Sequence, residues 1–151
     1  MSVDVKVYEL YDTNEINVRD VSFELPIGND IAFGIDRLFQ QIVKSLFTTP
    51  GSDKFNKSWG GGLQNILPII IEGGTISSSS KDRIYFAVSK VNGDIIRNQV
   101  QYPVPAQYTL KNLRILSLDL LIDEQELSSE VVLSLEVSTS DSKIRTLRVT
   151  V

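Results

Sequence analysis

Apolar and polar residues alternate at both ends of this chain, and between those ends apolar residues recur at spacings of three and four. Alternation is the mark of a half-buried strand, and the longer spacing is that of one face of a helix. Val3, Val5 and Val7 read as a short strand, followed by a polar, turn-like stretch over 11–20. Val21, Phe23 and Leu25 alternate with Ser22 and Glu24 as a second strand, closed by Pro26-Ile27-Gly28. Ile31, Ile35, Leu38, Phe39, Ile42, Val43 and Leu46 then share one helical face. This predicts an amphipathic helix over 31–47, N-capped by Asn29 or Asp30 and stopped by Thr49-Pro50-Gly51. Arg37, Gln40, Gln41, Lys44 and Ser45 fall mostly on its opposite face.

A long loop is expected over 51–62, ending in Trp59-Gly60-Gly61-Gly62, with a short helix over 63–67 that Pro68 ends. Gly73-Gly74-Thr75 reads as the start of a linker, and Ser79 as the cap of a second helix with Asp82 at its third position. Ile84, Val88, Val91 and Ile95 keep helical phase through Gly93, so this helix is predicted over 81–99, before Pro103 and Pro105 bar its continuation. The remainder reads as strands. Leu116, Leu118, Leu120 and Ile122 alternate with Ser117, Asp119 and Leu121. Leu133, Leu135 and Val137 form a second row; Leu147, Val149 and Val151 form a third, joined to the second by a turn over 138–143.

The resulting class is α+β: two main amphipathic helices packed on a C-terminal antiparallel sheet, with a short N-terminal β segment. The 151 residues suit a single domain, 1–151, divided into the β segment 1–28, a helical part with its Gly-rich loop 29–102, and the sheet 103–151.

Composition narrows the chemistry. The chain has neither histidine nor cysteine, which removes triads, thiol nucleophiles and the commonest metal ligands. A net charge of -4 with scattered basic residues predicts no nucleic-acid partner and no attraction to an anionic membrane. No signal peptide is read at the start, so a cytosol is the expected place of synthesis. Gly60-Gly61-Gly62 lacks the Lys-Ser/Thr of a phosphate loop. Carboxylate pairs remain the one catalytic device available, and Asp53 and Glu72, flanking the glycine loop, are the pair to consider. No motif surrounds either, so no catalytic, cofactor-binding or metal-binding residue is assigned. Charge is also segregated: 119–141 holds seven acidic residues and no basic one, while 142–151 holds Lys143, Arg145 and Arg148 and no acidic one. A basic terminal strand of this kind suits a sheet edge offered to a partner.

One segment carries a family resemblance. Phe47-Thr48-Thr49-Pro50-Gly51-Ser52-Asp53-Lys54-Phe55, followed by Trp59-Gly60-Gly61-Gly62-Leu63, resembles the baseplate wedge and tail-sheath-initiator family of contractile phage tails and injection systems, whose older label calls it a lysozyme. In that pattern a helix ends in Leu-x-Thr-x-x-Gly, and a short loop then ends in an aromatic residue and Gly-x-Gly-Leu. Gly51 matches the first glycine, and Trp59, Gly60, Gly62 and Leu63 match the ending. Lys57 stands where the family often has proline, and the Glu-Pro-Arg expected after the second helix is replaced by Gln101-Tyr102-Pro103. The first 25 or so residues have no counterpart in the pattern.

The resemblance implies a structural virion protein of the tail baseplate, assembled in the host bacterial cytoplasm in several copies around the tail axis. Its implied partners are the tail sheath protein and other baseplate wedge and hub or tube proteins. Its implied action is to start sheath polymerisation by strand addition to the C-terminal sheet. On this reading the sheath-contacting strand comprises Lys143, Ile144, Arg145, Leu147, Arg148, Val149 and Val151, and the structural loop Gly51, Trp59, Gly60, Gly62 and Leu63. The alternatives are a carboxylate-dependent peptidoglycan hydrolase and a generic adaptor of a tail or secretion machine without sheath contact.

Overall fold

Helix α1, Ile35–Phe47, forms because Leu38, Phe39, Ile42, Val43 and Leu46 present one apolar stripe, and all five are buried. A computed structural model of the chain describes residues 9–10, 18–21, 34–65, 69, 71–125 and 128–151. The predicted strand at Val3–Val7 positions, the caps Asn29 and Asp30, the helix residues 31–33 and the stop at Pro68 lie outside these residues. Within them α1 begins after Gly34 and ends on Thr48, whose amide and hydroxyl both donate to the Lys44 carbonyl. Gln40 and Ser45 do not face solvent as expected; both are buried against the core. Neither polar atom of the Gln40 side chain has a hydrogen-bond partner among the described residues, an arrangement that costs about 1–3 kcal/mol.

Residues 51–62 run as a loop into a 3-10 turn, Leu63–Asn65, and residues 66 and 67 of the expected helix lie outside the described residues. The stretch read as a linker is instead a tight hairpin of β3, Ile71–Glu72, and β4, Thr75–Ile76. Gly73 and Gly74 form its two-residue turn, both at positive φ, the conformation such a turn demands and glycine supplies. Helix α2, Ser78–Gln101, starts earlier than predicted, and its cap is Ser77 rather than Ser79. The Ser80 amide donates to the Ser77 hydroxyl at 3.2 Å. Four consecutive serines offer equivalent capping hydroxyls; the buried Ile76 at the end of β4 fixes where the chain enters and selects the first of them. Ser77→Ala should therefore destabilise the chain by about 1 kcal/mol in urea melts, whereas Ser79→Ala should leave the midpoint unmoved. The reverse order would return the cap to Ser79.

Three long strands follow: β5, Leu110–Asp123, β6, Ser128–Thr139, and β7, Ile144–Thr150. They pair antiparallel in chain order, giving the α+β arrangement. The inner rows are Leu133, Leu135 and Val137 on β6 with Leu147 and Val149 on β7, all fully buried beneath α1 and α2. Strand β5 departs from simple alternation. Its register slips between Leu110 and Asn112 and again between Ile115 and Ser117. Each slip is a bulge that resets which residues face inward. Leu113 and Ile115 therefore lie opposite Val137 and Leu135, while Leu118 and Leu120 lie opposite Leu133 and Val131. Leu116, grouped from the sequence with Leu118, is thrown out of phase and left exposed.

The N-terminal β segment also joins this sheet. Strands β1, Glu9–Leu10, and β2, Val18–Val21, pair with one another, and β2 runs parallel to β7. Strand β2 lies mostly within the stretch read as turn-like, and residues 22–25 of the strand expected from Val21 lie outside the described residues. The sheet order is β1-β2-β7-β6-β5.

Candidate functional site

The glycine loop is held from three sides. Gly60, Gly61 and Gly62 follow Trp59 into the gap between the end of α1 and the middle of α2. The Gly61 amide donates to the Ser45 carbonyl at 2.8 Å, and the Gly62 amide to the Thr48 carbonyl at 3.0 Å. The Gly60 amide donates to the Asp94 carboxylate at 3.3 Å. Asp94 is buried on α2, where Lys90 pairs with it at 2.9 Å and Arg97 at 3.4 Å; Lys90 also donates to the Ser58 carbonyl. A buried carboxylate needs such partners, and here they tie the loop to the helix. All three glycine amides are committed to protein acceptors, so none is aimed at a phosphate.

Each residue of the loop pattern has a place in this joint. A Cβ on Gly60 would lie 2.2 Å from the Thr48 carbonyl oxygen, and Gly60 sits at φ 115°. Gly61 is wedged between the carbonyls of Leu46 and Ala87 and the Val91 side chain. Gly62, at φ 71°, backs on Pro50, and Gly51, at φ 93°, faces open space. Leu63 is buried in the core, and Trp59 packs on it from the side. Asp53, one of the two carboxylates weighed for catalysis, accepts the amides of Phe55 and Asn56 at 2.7 and 3.2 Å as the pivot of a turn. Glu72 lies exposed on the β3–β4 hairpin. No hydrogen bond joins the two among the described residues.

The terminal strand is not the edge expected from the sequence. β7 lies between β6 and β2, with Thr146, Leu147, Arg148 and Val149 opposite Val18, Arg19, Asp20 and Val21. The reason is that the N-terminal segment folds back onto it, a long-range pairing with no local signal. Facing is as the alternation requires: Leu147 and Val149 are buried, Val151 packs against the core, and Ile144 and Arg148 are exposed. Arg145 donates to the Thr139 hydroxyl at 3.3 Å, and the Lys143 carbonyl accepts from the Thr139 amide at 3.0 Å. In the same turn the Thr139 hydroxyl, then the Lys143 amide and the nearby Lys143 and Arg145 charges, hold the Asp141 carboxyl below the usual range. These residues close a hairpin rather than present an edge.

The long open edge is β5. Along its first half α2 covers the outer side: Gln99 accepts the Leu110 amide at 2.7 Å and Asn92 the Leu113 amide at 2.9 Å. Gln99 also donates to the Tyr108 carbonyl, which fixes its orientation. Beyond Ile115 no described strand or helix side chain pairs with the outer side of β5. Leu116, Leu121 and Ile122 stand 47%, 51% and 60% exposed along this half. Its charges have one sign. Arg114, bonded by both its Nε and Nη2 to Glu136, is the last cation on the strand. Asp119 and Asp123 follow, and Glu130 lies across from Leu121. From Leu116 to Leu135 the sequence has five carboxylates and no lysine or arginine. An exposed edge with apolar residues and no strand beside it among the described residues is a template for another strand. Sequence reasoning missed it because the alternation was read as one uninterrupted face.

Among the described residues no helix is long and apolar enough to cross a membrane, and no cluster of acidic side chains is arranged to hold a metal ion. No protein-family model, curated protein or solved structure matches this chain.

Proposed function

We propose that this chain is a structural assembly protein, not an enzyme, that receives an extended strand from a partner along the outer edge of β5. The observation that carries the proposal is the half-covered edge: helix side chains occupy it up to Leu113, and beyond Ile115 it is apolar and acidic, with no strand beside it among the described residues. Strand addition draws its strength from main-chain hydrogen bonds and its register from alternate side chains. The acidic border selects an incoming strand that carries lysine or arginine. The resemblance of Trp59-Gly60-Gly61-Gly62-Leu63 to the sheath-initiator pattern supplies the partner: an arm of a tail sheath protein, added to copies of this chain arranged around a tail axis in a virion baseplate.

Asp119→Lys with Leu121→Lys tests this. Both positions are exposed, so the fold should persist, while the edge changes sign and loses its apolar contact. Electron microscopy of tails assembled with this variant should show complete baseplates bearing naked tubes. Arg148→Glu on β7 should leave sheath growth intact. Full-length sheaths on the β5 variant would reject the proposal, and loss of sheath with Arg148→Glu alone would return the contact to β7.

A further inference from the structure

A second surface stands at the tip of the loop that leads into the glycines. Phe55 is 100% exposed there. The loop that carries it is braced at both ends. The Ser52 amide and hydroxyl both donate to the Thr49 carbonyl. Asp53 accepts the Phe55 and Asn56 amides, which fixes the turn at the tip. The Asn56 carbonyl accepts the Trp59 amide at 3.1 Å, and its side-chain oxygen accepts the Ser58 hydroxyl at 2.9 Å. Lys90 of α2 holds the Ser58 carbonyl. A ring already fixed in place at the tip of a braced turn loses little conformational freedom when a partner buries it. Exposed Lys54 and Lys57 flank it, and neither has an ion pair among the described residues. Asp53, the one carboxylate of this loop, is committed to backbone amides.

The same chain carries the complement. Strand β7 pairs with β6 only from Val132 to Ser138, whereas β5 and β6 stay paired out to Asp123 and Ser128. The far end of that hairpin therefore extends past β7. Leu133, Leu135 and Val137 face the helices, so Glu130, its opposite Leu121, and Asp119 face the other way. Leu121 is half exposed on that face. Glu130 lies directly across from it, about 5 Å between Cβ atoms, and Asp119 precedes it by two residues, about 7 Å along the strand. Both carboxylates are exposed. An apolar side chain between two carboxylates is the counterpart of a phenyl ring between two lysines.

We propose that a second copy of this chain is the partner: Phe55 of one copy packs on Leu121 of the next, with Lys54 and Lys57 beside Asp119 and Glu130. A net charge of -4 makes copies repel in most orientations, and this is one in which opposite charges meet. The loop and the receiving face are different parts of the chain, so the contact is head-to-tail. It passes from copy to copy and closes into a ring where the rotation between copies allows. A contact this small is weak for a single pair. It uses the outward face of the hairpin rather than the edge of β5, and it does not rest on strand addition.

Sedimentation of the purified full chain over a rising protein concentration tests this. Self-association should grow with concentration and weaken with added salt. Phe55→Ala should weaken it about tenfold or more, and Leu121→Ser with Glu130→Lys should do the same. All three side chains are exposed, so thermal melts should match the unmodified protein. Phe55→Ala alters nothing on β5, so a loss seen with it is not a loss of the strand-addition edge. An equimolar mixture of the two variants separates this contact from any symmetric one. The Phe55→Ala copy keeps an intact receiving face and the other variant keeps an intact loop. Their mixture should regain pairs that neither forms alone, and growth should stop at two copies. The proposal is overturned by a chain that stays monomeric at every concentration, by self-association that Phe55→Ala leaves unaltered, or by a mixture no more associated than its components. Binding to phosphatidylglycerol vesicles in place of self-association would also overturn it, and would give Phe55 to a membrane.

Discussion

Gly60→Ala lowers the stability of the protein by about 4 kcal/mol, the sum of strain at a positive φ and overlap with a backbone that cannot step aside. The new methyl would sit 2.2 Å from the Thr48 carbonyl oxygen and 2.8 Å from its carbon. That carbonyl cannot retreat freely, because it accepts the Gly62 amide and belongs to the residue that ends α1. Displacing Gly60 also pulls its amide from Asp94, which leaves a buried carboxylate with one partner fewer. For a domain of this size the melting temperature should fall by roughly 8–16 °C. Gly51→Ala is the internal control. Gly51 has a similar backbone conformation but nothing within 4 Å of the added Cβ, so only the conformational strain, about 1 kcal/mol, remains. Equal melting temperatures for the two variants would mean that the loop does not seat against α1 as described.

Removing residues 144–151 should abolish cooperative unfolding altogether. The stretch read from the sequence as an accessible border is the middle of the sheet, paired on both sides. Leu147 and Val149 are fully buried, and losing them opens the core beneath α1 and α2. Leu147→Ala alone should cost about 2–5 kcal/mol, a large share of the roughly 5–15 kcal/mol that holds a domain together. Ile144→Thr, at a position 64% exposed, should shift the urea midpoint hardly at all. A truncated chain with an unchanged, cooperative melt would show β7 to be dispensable.

The elements legible in the sequence were those whose signal is local and uninterrupted. The α1 stripe from Ile35 to Leu46, the phase of Ile84, Val88, Val91 and Ile95, and the alternation of β6 and β7 each place a helix or strand without knowledge of the rest. The Gly73-Gly74 turn was also within reach, since two glycines between Ile71-Glu72 and Thr75-Ile76 have the form of a two-residue hairpin. Other features had no local signal. Adjacent apolar residues at Ile115 and Leu116 mask the second phase change in β5, so its facing could not be read from alternation. The pairing of β2 with β7 joins residues more than a hundred positions apart. The groove bordered by α1, Trp59, the end of α2 and Tyr108 is likewise assembled only by the fold. The glycine pattern was visible, but its purpose was not: Asp94, the buried anchor that Gly60 requires, carries no mark in a helix with many polar residues.

On the proposed strand addition, Asn92 and Gln99 would act on β5 as a mechanical stop. An arriving strand cannot zip past Leu113 without expelling side chains that already hold the amides there. Pairing with a partner would then be confined to the stretch from Leu116 to Ile122, about 23 Å of strand at about 3.3 Å per residue. A zipper that short unfastens quickly when it acts alone. Its hold becomes durable when several copies grip the same partner at once, because each release is then followed by recapture at high effective concentration. A limited edge of this kind favours contacts that can be corrected singly and become permanent only as a ring.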